Sequence, residues 1–167
     1  MEKELQGKSR FLLFRILSKA EEEAGRRLAF QMDHEVSKTR DIDTEETKDG
    51  ASKSLGSVET TISVTSNMAE NDAFVDELED AFDEGEIFEI WDSVVTKADV
   101  GNKHKSKYAQ AYMSDFNVSA PADGKVELSM DFSVIGLPQR GEVTLTDAQE
   151  AAVQYEFRGT EVVVPGP

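Results

Sequence analysis

The chain contains no cysteine. Disulfide bridges and thiolate chemistry are therefore excluded, as suits a protein kept in a reducing cytoplasm. Basic residues are scarce: 18 Lys and Arg stand against 34 Asp and Glu, a net charge of −16. Such a chain repels free nucleic acid at long range and has no footprint for coating it. Like charges would instead let DNA pass without sticking. No apolar run reaches the roughly 18 residues that a membrane helix needs. The first apolar block, Phe11–Leu17, is broken by Arg15 and has no small-residue cleavage site behind it, unlike a signal peptide. The expectation is a soluble protein made in the cytoplasm.

Catalytic signatures are missing too. The two histidines, His34 and His104, are too few for a zinc site or a triad. His34 sits on an apolar strand face, which suits a core or interface residue. No G-x-S-x-G elbow, Walker loop or G-x-G-x-x-G is present. The spacing Asp41-x-Asp43-x-Glu45 opens like a calcium loop, but Glu46 stands where glycine is required and Ser52 where the last glutamate belongs. The expectation is no enzyme, no cofactor and no metal.

What is present is alternation. With 167 residues, 38% of them hydrophobic, the chain can fill the core of one domain. "FLLFRIL" reads as a buried strand. "LAFQMDHE" alternates, with Leu28, Phe30, Met32 and His34 on one face and Ala29, Gln31, Asp33 and Glu35 on the other. "GSVETTISVTS" sets Val58, Thr60, Ile62 and Val64 against Glu59, Thr61, Ser63 and Thr65. "EIFEIWDSVV", "KYAQAYMSDFNVS", "KVELSMDFSVIG" and "EVTLT" read as further strands. In the third of these, Val126, Leu128, Met130, Phe132 and Val134 are expected inward. "APADGK" joins two of them with an Asp-Gly hairpin signal, and "LPQRG" reads as a turn. "DAQEAAVQYEF" reads as a short helical turn or a strand.

One helix stands out in "NDAFVDELEDAFDEG". Asn71 or Asp72 can cap it. Phe74, Leu78 and Phe82 form its core stripe at i, i+4 and i+8, and Gly85 is placed to end it. The expected fold is mainly β: a β-sandwich or half-barrel of about eight strands flanked by one α-helix. Between the second and third strands lies "SKTRDIDTEETKDGASKS", residues 37–54. It holds one large apolar residue, Ile42, and reads as a long polar loop. Lys97, Lys103, Lys105 and Lys107, with Arg26 and Arg27, reverse the local sign. They suit pairing with an acidic surface of a second copy.

Read in order, "LQGKSRFLLFRILSKA", "LAFQMDHEVSKTRD", "TKDG", "MAENDAFVDELEDAFDEGEIFEIWD" and "GLPQRGEVTLTDAQEAAVQYEF" resemble the major tail protein of long, non-contractile phage tails, in the group found in phages of Gram-positive bacteria. The likeness is collinear over roughly residues 5 to 158 and rests on the order of blocks. It implies a tail-tube domain over 1–160 with a C-terminal tail at 161–167. It further implies hexameric rings stacked into a tube whose lumen conducts DNA into the host. The implied partners are a tape-measure protein, a tail terminator and distal tail or baseplate proteins, the location the virion, and the site of synthesis the bacterial host cytoplasm.

Set beside the alternation, this points Glu59, Glu127 and Asp131 at the lumen, with Asp33 and Asp115. It makes 37–54 an inter-ring loop gripping a neighbour through Lys38, Arg40, Asp41, Asp43, Glu45, Glu46, Lys48 and Asp49. The alternatives are an acidic β-sandwich binding module, or another ring-forming tail component such as a tail terminator.

Overall fold

The structure is a computed structural model describing residues 4–28, 30–94 and 103–144. Its strands are β1 (Arg10–Ile16), β2 (Arg26–Arg27), β3 (Gln31–Thr47), β4 (Gly50–Asn67), β5 (Ile87–Val94), β6 (Lys103–Ser119), β7 (Glu127–Val134) and β8 (Gln139–Thr144), with one helix, α1 (Ala73–Glu84). They form one eight-stranded sheet in the order β2-β1-β5-β6-β7-β4-β3, with β8 paired to β6. All pairings are antiparallel.

The sheet curls on itself. Phe14 of β1 stacks on Phe132 of β7 at 5.6 Å, although β5 and β6 lie between them in the ladder. Phe88 meets the same ring edge-on at 5.5 Å. Leu12, Ile62, Val64, Ile90, Leu128 and Met130 fill the space around them. The helix closes the core through Phe74, Val75, Leu78 and Ala81, while Phe82 stacks on Phe116 at 6.4 Å. Its ends follow the chain's local chemistry. Asp72 accepts from the Phe74 N–H, and Gly85 takes a left-handed φ of 72°. The amides of Gly85 and Glu86 then reach back to Phe82 and Ala81.

Four sequence expectations change. Residues 37–54 are not a loop: β3 and β4 continue through them as a two-stranded arm, turning at Lys48–Asp49. The Asp49-Gly50 pair supplies that turn, with Gly50 at φ 120°. Every residue from Ser37 to Ser57 is exposed. The arm therefore has no core to give it an apolar period, and only cross-strand pairing makes it strand.

Second, Phe30 and Met32 are 66% and 45% exposed instead of facing inward with Leu28 and His34. A bulge between Gln31 and Asp33 breaks the alternation and turns Gln31 into the interior side. Third, Val126 precedes its strand and is exposed. Fourth, "LPQRG" is partly strand, since β8 begins at Gln139. Lys97, "DAQEAAVQYEF" and the tail at 161–167 lie outside the described residues.

Candidate functional site

Four adjacent strands, β6-β7-β4-β3, carry the core on one face. The other face of this sheet is the candidate site. Cross-strand register lays its side chains out in rows. One row runs Asp33, Thr65, Ser129, Asn117. The next runs Glu35, Ser63, Asp131, Asp115, and the third Ser37, Thr61, Ser133, Tyr112. Glu59 opposes Thr39, and Glu127 lies between Asn67 and Ser119.

Asp33, Glu59, Asp115, Glu127 and Asp131 therefore share a single face, though they come from four separate stretches of sequence. Glu35 joins them. A bulge between Met113 and Asp115 is what brings Asp115 onto this face beside Asp131. Hydroxyls and amides fill the positions between the carboxylates. No lysine or arginine occupies this face among the described residues of these rows. Opposed carboxylates such as Asp115 and Asp131 gain nothing for folding.

The arm continues both faces of the sheet. Pairing sets Asp43, Glu45 and Thr47 opposite Ser54, Ser52 and Gly50, on the side of the acidic face. Asp41 lies there too, opposite a bulge where Gly56 approaches its backbone; a Cβ on Gly56 would meet the Asp41 carbonyl oxygen at 3.2 Å. The reverse side of the arm carries Lys38, Arg40, Lys53 and Glu46, with Ile42 paired to Leu55. Of the expected arm residues, Asp41, Asp43 and Glu45 thus fall on one side, Lys38, Arg40 and Glu46 on the other, and Lys48 and Asp49 at the tip. The Ile42–Leu55 pair was hidden in the sequence, where thirteen positions separate two lone apolar residues.

A seam holds the two ends of the curled sheet together. Gln31 at the start of β3 reaches Leu12 of β1, accepting its N–H at 3.0 Å and donating to its carbonyl at 3.3 Å. Beside it, Asp92 accepts from the Arg10 Nε at 2.8 Å and lies 3.3 Å from His34 Nε2. Burial pushes the Asp92 carboxyl up, but hydrogen bonds from Arg10 and His34 outweigh it and hold its pKa at about 2.

On the covered side of β1 and β5, Arg15 makes a two-pronged pair with Glu89 at 2.8 and 3.1 Å. That bond and the Tyr108 hydroxyl satisfy a buried carboxylate. Arg26, expected to meet another copy, pairs within the chain with Glu23 and Glu77 and lies over Phe74. Lys105 and Lys107 line an open pocket of about 600 Å³ with Arg10, Arg140 and Glu142. No His, Asp or Glu grouping among the described residues could hold a metal ion.

Comparison with known proteins fits this geometry. Residues 4–140 match the phage tail tube protein family. A tail protein of Staphylococcus phage phiMR25 is 34% identical over 157 residues, 90% of this chain and 80% of that one. A tail tube protein of Bacillus phage SPP1 is 32% identical over 115 residues, 69% of this chain but 43% of that relative's length. Among solved structures, the SPP1 tail tube superposes with a TM-score of 0.72 at 21% identity, over 95% of this chain and 87% of that one. The tail of an empty GTA particle, computed with C6 symmetry, gives 0.62 at 14% identity, over 83% and 99%. The extent of the family match and the identity to the phage proteins lead to one conclusion: the chain belongs to the phage tail tube protein family.

Proposed function

We propose that this structural protein of the phage tail assembles into hexameric rings, and that the rings stack into a tube whose acidic lumen conducts DNA. The observation that carries this reading is the face of β6-β7-β4-β3: six carboxylates set among hydroxyls and amides, with no cation in the rows. Six copies would line a bore with negative charge. Phosphates would be repelled evenly from all sides, and nothing would hold DNA in passage. Tight phosphate contacts would oppose transit.

The strand directions support ring closure. β3 has a partner on one side only, and β6 beyond Tyr112 likewise, among the described residues. Four alternating strands leave these two edges running in opposite directions. The β3 edge of one copy can therefore continue the antiparallel ladder on the β6 edge of the next. Closure removes edges that would otherwise invite uncontrolled pairing. The arm then projects along the axis towards the adjoining ring. Tape-measure, terminator and distal tail proteins are the partners this role requires, and the bacterial host cytoplasm is its place of synthesis.

The test is charge reversal on the face. Lysine at Glu59, Glu127 and Asp131 should leave tubes intact by electron microscopy and slow DNA ejection from reconstituted particles. Unchanged ejection would remove these residues from the lumen. A purified chain that stayed monomeric at high concentration with tape-measure protein present would remove the tube reading itself.

A further inference from the structure

Five large exposed apolar residues stand at the two opposite ends of the β6-β7-β4-β3 sheet. At the arm end stand Ile42 and Leu55, 58% and 65% exposed and paired across the ribbon. At the far end stand Phe30, Val118 and Val126, at 66%, 45% and 37%. These three lie on neighbouring strand ends. The Phe30 carbonyl accepts the Asn67 N–H at 3.2 Å, and the Val126 carbonyl accepts the Met68 N–H at 2.8 Å. Val118 lies one register step from the pairing of Ser119 with Glu127.

Phe30 is anomalous twice over. It is a large aromatic left in water, and its φ of 54° is one that bulky residues rarely adopt. Strain kept at an exposed aromatic suggests a use for the side chain.

The charges at the two ends are complementary. The apolar side of the arm carries Lys38, Arg40 and Lys53 against Glu46. The far end is rimmed by exposed Glu70 and Asp123 against Lys125. Each end thus has an apolar centre and a charged rim, with opposite signs. Surfaces on opposite ends of one molecule make a head-to-tail contact, which propagates and does not close on itself.

We propose that the far end is the receptor for the arm of a second copy: Ile42 and Leu55 pack against Phe30, Val118 and Val126, while Lys38, Arg40 and Lys53 meet Glu70 and Asp123. This rests on the reading of the arm as the stacking element, and names what it grips. The acidic side of the arm stays free to extend the lumen face.

Full-length chains test it by electron microscopy and sedimentation. Val118→Ser with Val126→Ser should raise the concentration needed for tubes by more than about tenfold while leaving the melting curve near that of the parent. Ile42→Ser with Leu55→Ser should do the same. Reversing Lys38, Arg40 and Lys53 to Glu should block stacking. Adding Glu70→Lys and Asp123→Lys in the same chain should restore it. If the arm variants fail to stack while the far-end variants stack normally and the combined reversal does not rescue, the receptor lies elsewhere and the proposal is overturned. If the arm variants themselves stack normally, the reading of the arm as stacking element falls with it.

Discussion

Gln31 binds the backbone of Leu12 at both its N–H and its carbonyl, so that one side-chain amide stands in for a rung of ladder between β3 and β1. The bulge that unmakes the alternation of β3 is what turns Gln31 to this task. Gln31→Leu should cost about 1–3 kcal/mol, because it leaves two part-buried backbone groups unpaired. Urea unfolding measures the loss, and faster hydrogen exchange at the Leu12 amide locates it. Gln31→Glu should be no better, since a carboxylate cannot donate to the carbonyl. Unchanged exchange at Leu12 would mean that the seam is held by other contacts.

Asp92 makes the subunit sensitive to acid. Its folded pKa of about 2 lies below the ordinary 3.8. A lowered carboxyl pKa adds stability that is complete above the ordinary value and disappears as pH falls through the folded one. Stability should therefore drop between about pH 4 and pH 2, by about 2 kcal/mol from this group. Asp92→Asn should be weaker at pH 7 and should flatten that part of the profile. Urea midpoints at pH 7, 4 and 2.5 provide the measurement.

Asp115 and Asp131 oppose each other across β6 and β7. Like charges so placed destabilise a sheet, so Asp115→Asn should raise stability by about 0.2–1 kcal/mol. A residue that weakens the fold where it stands is expected when its charge serves something else. A fall in melting temperature on this substitution would show that Asp115 has a favourable partner.

The arm adds no core. Replacing residues 41–57 by Asn-Gly, so that Arg40 joins Val58 through a tight turn, should leave circular dichroism and melting of the body unchanged. Rings should form and tubes should not. Normal tubes from this variant would move stacking to another surface.

Sequence reading reached the parts of the fold whose signals are local. Asp72, Phe74, Leu78 and Gly85 announce the helix and both its ends within fourteen residues. Val64 and Met130 lie inward and Glu59 and Asp131 outward because a half-buried strand must alternate. The arm escaped because alternation in sequence reflects burial, and a ribbon wet on both sides has none. Its available signal was weaker: Thr39, Ile42, Thr44 and Thr47 in one strand, then Asp49-Gly50 at the turn. The seam escaped for a different reason. Nothing near Gln31 or Leu12 in sequence records that they meet, or that the chain bulges between Gln31 and Asp33.

β3 and β4 pass from the body into the arm without a break in the chain or the ladder, apart from the bulge at Asp41 and Gly56. A pull on the arm's tip along its length is therefore carried by peptide backbone into the body. There the strands β4 and β7 resist by sliding, which strains all of their ladder bonds together. A flexible loop would have concentrated the same pull on its two attachment points. The subunit is built to transmit tension lengthwise, and the bulge at Asp41 and Gly56 is where the arm can bend against the body.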